Sequence, residues 1–348
     1  MRTKGTILDA AGVPLNGRYN TLSESRAETW SASDLIRLAN EHPPEAVIKG
    51  LVNKGDILLL HGSEESFKSV FILQLAESVA LGTSLLMHWN VPRSWRVGVI
   101  ETEIHEVMLG ERLQKMFPKG NAPKNMCFMR ESALRDWRRL GLPQKFESIQ
   151  NWIEEEEIEV LLIDTANDFF RGQDNPSAET DVGTFFDELR NLRVGARGIV
   201  RHDRKKKPDF DGQINSNERI RGSAEWKEDP EAIISLERTD RRTNQVDFEV
   251  GKLRYGSKPQ PFSLWFDAST FRLTPLPPVV AVLYEKESTR AKIIGDCQRR
   301  FDLGERTVDQ MIGEQKGFLA ETQRGHEKVF GIDIDRAQGA HWFSFAFR

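Results

Sequence analysis

Residues 55–82 read GDILLLHGSEESFKSVFILQLAESVALG: an apolar run, a short polar loop with one glycine, then a stretch of helical character that is apolar on almost every side. A helix without a polar face has to sit inside a core. A strand that is continuously apolar, rather than alternating, has to be covered on both faces. Few architectures satisfy both demands, and the simplest is a sheet layered between helices. Short apolar runs of the same kind recur at RVGVIE (96–101), VLLIDT (160–165), RGIVRH (197–202) and EAIISLE (231–237), with helical stretches between several of them. The expectation is an α/β fold with a mainly parallel sheet. VDFEV (246–250) and FSLWF (262–266) alternate more clearly and are expected as later strands near the margin.

The loop after the first run comes close to the phosphate-binding pattern G-x-x-x-x-G-K-[ST]. Gly62, Lys68 and Ser69 stand where that pattern wants them, and Phe67 stands where it has a second glycine. Such a loop works at a strand–loop–helix junction, where successive backbone amides wrap a phosphate chain. Gly62, Ser63, Glu64, Glu65, Ser66, Phe67, Lys68, Ser69 and Val70 are therefore the candidate nucleotide-binding residues, with ATP as the ligand. Lys68 would neutralise the β- and γ-phosphates, and the Ser69 hydroxyl would reach Mg2+. A bulky residue held at positive φ costs about 1–2 kcal/mol, so Phe67 is expected to be a handicap. The amides donate whatever the side chain, and the ring is expected to point away from the phosphates. Gly82 is placed to cap the following helix. At the end of VLLIDT, Asp164 occupies the place of a magnesium-ordering carboxylate, although an aspartate there also suits a turn.

VGVIETE (97–103) is a further buried run ending in carboxylates, and here a resemblance becomes specific. The order of these three elements resembles the core of RecA-like ATPases. By that match Glu103 is the general base that activates the attacking water, with Glu101 the alternative nearer the strand. IVRHDRKK (199–206) resembles the sensor segment of RepA- and DnaB-type hexameric helicases, which places His202 beside the γ-phosphate. Members of the RepA type often carry two histidines there, whereas this chain has Arg201 first. RIRGSAEWKEDPEAIISLER (219–238) resembles the family's RGS segment through Arg221, Gly222 and Ser223, its acidic position falling on Asp229 or Glu231. VGKLRYGS (250–257) resembles the K-x-R-x-G element through Lys252, Arg254 and Gly256. In the family this pair reaches a neighbouring subunit's γ-phosphate, and residues i and i+2 of a strand do share a side.

The resemblance covers about residues 46–273, with Phe67 its main departure. It implies an ATP-hydrolysing, Mg2+-dependent motor that assembles with itself, as a hexameric ring, on single- or double-stranded DNA. The implied setting is replication of a mobile element. Alternatives are a nucleotide-switched DNA-binding regulator or scaffold, and a recombination mediator of the RecA/RadA type. The loops expected to face DNA are 169–181 and 203–223, the second opening with Arg204, Lys205, Lys206 and Lys207. Backbone contact with nucleic acid needs charge rather than a sequence code. The chain as a whole is not a polycation, since its formal net charge is −4.

Residues 1–45 are polar and weakly patterned apart from SASDLIRLANE (31–41), and are expected to be a lead-in segment. The prolines of TPLPPVV (274–280) suggest a linker between the ATPase domain, 46–273, and a separate part, 281–348. That last part resembles a winged helix. Residues 288–301 are its second helix, 305–318 its third, and 319–333 a wing with Arg324 and Gly325 at the tip. Arg306, Asp309, Gln310 and Gln315 would be exposed on the third helix, with Val308, Ile312 and Phe318 facing inward. Cys127 and Cys297 lie far apart without metal-ligand spacing and are expected as free thiols. No apolar run approaches the roughly 18–20 residues needed to span a bilayer, and the start lacks an apolar signal core. A cytoplasmic protein is expected.

Overall fold

The computed structural model describes residues 30–137, 140–170, 179–203, 224–238, 243–276, 278–285, 287–301, 303–314, 319–324 and 327–332. The chain divides into two compact units, Met1–Pro44 and Glu45–Arg348. In the first, α1 (Ala32–Glu41) opens with a capping box in which Ser31 Oγ accepts from the Asp34 amide and Asp34 answers to the Ser31 amide. Leu35, Ile36 and Leu38 of this helix are exposed.

The second unit begins with a small antiparallel pair, β1 (Ala46–Ile48) and β2 (Val52–Asn53). There follow β3 (Ile57–Gly62), α2 (Lys68–Leu81), β4 (Val97–Glu101), α3 (Glu106–Met116), β5 (Met126–Phe128), α4 (Glu131–Trp137) and α5 (Leu142–Glu155). Then come β6 (Val160–Asp164), a 3-10 turn (Ala166–Phe170), α6 (Glu179–Asn191), β7 (Ala196–His202), α7 (Glu225–Glu228) and β8 (Ala232–Glu237). Three antiparallel strands close the sheet: β9 (Gln245–Leu253), β10 (Phe262–Asp267) and β11 (Arg272–Leu276).

These strands form one nine-stranded sheet in the order β11-β10-β9-β8-β3-β7-β6-β4-β5, parallel from β8 through β5. Its strands are dry on both faces, as their continuous apolar runs require. Leu58 and Leu60 enter one core with Val70, Phe71, Leu75 and Val79 of α2. Ile57 and Leu59 enter the other, with Phe146 and Ile149 of α5 and Phe185 and Leu189 of α6. α2 is buried almost all round, and Gly82 ends it at φ 66, its amide donating to Ser78 O. Because the strands run parallel, β3, β4, β6 and β7 deliver their C-terminal ends to one edge of the sheet, where an α/β fold carries its site.

Residues 274–280 are not an unstructured linker. They hold the end of β11 and the start of α8 (Pro278–Glu285). Pro275 lies on the outermost strand of the sheet, where a missing amide removes no ladder bond, and Pro278 begins a helix. β11 is also clamped to α2, whose Gln74 side chain bonds both the amide and the carbonyl of Leu273 at 2.9 and 3.0 Å.

Beyond α8 lie β12 (Ser288–Thr289), α9 (Arg290–Phe301), α10 (Glu305–Glu314), β13 (Leu319–Arg324) and β14 (Glu327–Ile332), the strands ordered β12-β14-β13. Val308 and Ile312 of α10 are buried, while Arg306 and Gln310 are exposed. Asp309 is half-buried and ion-paired with Arg290. Gln315, Phe318 and Gly325 fall outside the described residues. This segment has its own core of Val279, Val280, Ile293, Cys297 and Phe301, against which Trp265 of β10 packs. Arg300 of α9 also grips Asp247 of β9 at 2.7 Å. Both cysteines are free, and burial pushes the Cys297 thiol up to about 12. Among the described residues no helix is long and apolar enough to cross a membrane.

Candidate active site

β3 ends at Gly62, where an added Cβ would lie 2.0 Å from Leu236 O of β8, so no larger residue fits. The loop that follows turns through two non-glycine residues at positive φ, Glu65 and Phe67, both at 62°. Phe67 thus adopts the left-handed conformation that the glycine of the pattern would supply. Its ring stacks on Phe266 of β10, centroids 4.5 Å apart, and the Arg238 guanidinium lies over it at 4.8 Å. Within the loop the Ser66 hydroxyl donates to Ser63 O at 2.8 Å. Lys68 is buried, and its ammonium donates to Gly62 O at 3.1 Å and to Ser63 O at 2.5 Å. Burial pushes its pKa down, opposed by the charges of Asp164, Asp203, Glu103 and Glu64.

The acidic residues reach this lysine from neighbouring strands. Glu101 and Asp164 are register partners at the ends of β4 and β6. Asp164 is almost fully buried, and among the described residues neither of its oxygens takes a hydrogen bond of good geometry. Burial pushes it up to about 6, while the Ser69 hydroxyl, Lys68 and His202 act the other way. Burial beside Asp164 also pushes Glu101 up to about 8, although its Oε1 accepts from the amides of Glu103 and Ile104 at 2.9 and 3.3 Å. Glu101 is therefore a neutral, backbone-tethered acid at neutral pH. Glu103 is more open, and its Oε1 lies 3.0 Å from Nε2 of His202 at the end of β7. Lys68, Ser69, Asp164, Glu101, Glu103 and His202 thus converge on one edge of the sheet.

Lys252 and Arg254 lie elsewhere. Lys252 pairs with Ile233, which is level with Leu59, and the Arg254 amide bonds Glu231 O beside the start of β3. At about 3.3 Å per residue the two stand roughly 10–16 Å down the strands from Gly62, far from the chain's own loop. The Lys252 ammonium donates to the carbonyls of Lys227 and Glu228, and Arg254 pairs with Glu231 at 3.3 Å. Glu231 also accepts from the Ile57 amide at 2.8 Å, whereas Asp229 is bound to Arg190. Arg201 is buried with its guanidinium 3.9 Å over Trp226. Arg221, Gly222, Ser223, the basic run 204–207 and most of both expected DNA-facing loops lie outside the described residues.

Two groups were not legible in the sequence. His61 and Asp203, both buried, meet at 2.8 Å beneath the loop, joining the end of β3 to the end of β7. A polar residue inside ILLLHG was the available signal, but its partner depends on a parallel register that sequence does not give. Arg238 and Phe266 reach the loop from strands that read only as marginal.

Residues 21–209 match the AAA domain family AAA_25. The chain belongs to that family. No curated protein matches the chain. Among solved structures, one stand-alone ATPase domain aligns with this AAA domain at a TM-score of 0.52 and 12% identity, over 72% of this chain and 100% of that one. The structure of a DnaB-like replicative helicase, solved to describe its interactions with primase, aligns at a TM-score of 0.50 and 12% identity, over 71% of this chain and 67% of that one. At such identity the likeness concerns the fold. This AAA domain has the RecA-like α/β fold of P-loop ATPases, as the order of its motifs led one to expect.

Proposed function

We propose that the chain is an ATP-hydrolysing RecA-fold motor of the RepA/DnaB-like kind that acts on DNA as a ring of identical subunits. The observation that carries this reading is the convergence of Lys68, Ser69, Asp164, Glu103 and His202 at the C-terminal ends of β3, β4, β6 and β7. Residues 62–70 wrap the triphosphate, and Lys68 turns from loop carbonyls to the β- and γ-phosphates. A buried carboxylate with unsatisfied oxygens, beside a hydroxyl, suits a hydrated divalent cation. Ser69 and Asp164 are the residues that would hold Mg2+, which when bound neutralises charge on the phosphates.

Glu103 takes a proton from the attacking water as the water oxygen bonds to the γ-phosphorus. The bond to the β–γ bridging oxygen breaks, and ADP leaves with that electron pair. Glu103 suits this task better than Glu101, because it is accessible and already in contact with His202, the proposed γ-phosphate sensor. Lys252 and Arg254 are assigned to a neighbour's site, a role consistent with their distance from their own loop. A charge supplied across a subunit boundary is worth about 10³–10⁵ in rate in other NTPases.

The arrangement of α8, β12, α9, α10, β13 and β14 fits a winged helix, whose exposed Arg306 and Gln310 are offered to DNA or to a partner protein. The same segment, together with the strained loop, favours a second reading: a DNA-binding scaffold switched by nucleotide, with little turnover. Phosphate release with and without single-stranded DNA, followed by a strand-displacement assay, separates the two. The motor reading expects DNA to stimulate turnover and strands to separate. Nucleotide binding without stimulated turnover at saturating protein contradicts it and selects the scaffold.

A further inference from the structure

Phe67 departs from the glycine of the motif, yet the residues around it form a brace. Two left-handed positions, Glu65 and Phe67, give the loop its shape, and the same partner touches both. Arg238 lies over the Phe67 ring at 4.8 Å and donates from Nη1 to Glu65 O at 3.4 Å. It is itself fixed by two bonds from Nε and Nη2 to Thr243 O, at 3.0 and 2.8 Å. On the other element, Phe266 stacks on Phe67 with an interplanar angle of 25°, and Phe266 in turn meets Phe271 edge-on at 5.5 Å. Phe67 also packs against the core that holds α2.

We propose that Phe67, Phe266 and Arg238 are positioning residues that hold the phosphate-binding loop in its left-handed form before nucleotide arrives. This inference rests on the nucleotide-binding role proposed above. A glycine at position 67 reaches the same φ without strain but leaves the loop free to sample many others, all of which binding has to freeze out. The aromatic stack supplies the order that glycine lacks, and it also explains why a bulky residue persists at positive φ here. The consequence is opposite to what the motif suggests: restoring the pattern glycine weakens nucleotide binding.

Titration calorimetry with Mg-ATP on the full chain tests this. Phe67→Gly is expected to bind about threefold to tenfold more weakly than wild type, the order of one aromatic pair, and Phe67→Tyr, which keeps the ring, to recover most of that loss. Phe266→Leu acts from outside the loop. It is expected to raise KM for ATP by a similar factor, with the loss falling on KM rather than kcat. Phe67→Gly combined with Phe266→Leu is expected to bind no more weakly than Phe67→Gly alone, because one contact is being removed twice. Wild-type binding together with equal or tighter binding by Phe67→Gly overturns the brace and leaves the site intact. Absence of binding by wild type overturns the nucleotide site itself, and the brace with it.

Discussion

Among the described residues, the ammonium of Lys68 has only loop oxygens for partners within hydrogen-bonding distance, although three strand-end carboxylates raise its pKa from further off. A group so placed lowers the stability of the resting chain, and its presence makes sense when an anion is to be bound. Glu101 and Asp164 are desolvated in the same way and give a measurable signature. The folded chain holds the Glu101 proton up to about pH 8, whereas the unfolded chain releases it near 4.5. Folded Asp164 holds its proton up to about pH 6, against 3.8 unfolded. Protons bound only in the folded state make stability fall as pH rises, here from about 4.5 towards 8. Thermal unfolding of the nucleotide-free protein should therefore show Tm falling across that window, and Glu101→Gln should flatten the fall. At this scale the motif residues were legible because each chemistry admits few residue types. The Phe67 brace was not, since its partners lie about 170 and 200 residues downstream on strands whose pairing depends on the whole sheet.

At the scale of elements, the continuous apolar runs revealed the parallel strands, because burial on both faces leaves no polar positions. Gly62 shows how closely those strands have to approach. Gly62→Ala would drive a methyl into the Leu236 carbonyl, and β3 and β8 would have to part. The expected loss is about 1–3 kcal/mol or more, read as a lower urea midpoint with weakened nucleotide binding. A midpoint unchanged from wild type would contradict the close approach. The prolines of 274–280 misled for a definable reason. Proline excludes interior strands and helix centres, but it is tolerated on an outer strand and in a helix's first turn, and both exceptions occur here. β9 carried its meaning in two ways at once. Its alternation marked a strand, and its Lys252 and Arg254 marked a site, but only the antiparallel register with β8 revealed that they lie far from their own loop.

At the scale of the molecule, a loop at one end of the sheet and a cationic pair near the other are two halves of a site that a single chain does not bring together. Mixing subunits tests this directly. Lys68→Ala subunits lack the loop's charge and Arg254→Ala subunits lack the donated one, so each alone should turn over ATP at least about tenfold more slowly than wild type. Their mixture should recover part of the activity, because some interfaces then pair an intact loop with an intact Arg254. Wild-type turnover by Arg254→Ala alone would show that each chain completes its own site. The central claim is that this chain's loop, with phenylalanine in place of glycine, drives ATP hydrolysis through Lys68. Phosphate release per subunit, measured over a range of protein concentrations for wild type and Lys68→Ala, tests it most directly. The expected result is release that climbs with wild-type concentration and is absent for Lys68→Ala. Release that is equal in the two proteins, or absent from wild type at every concentration, would contradict it.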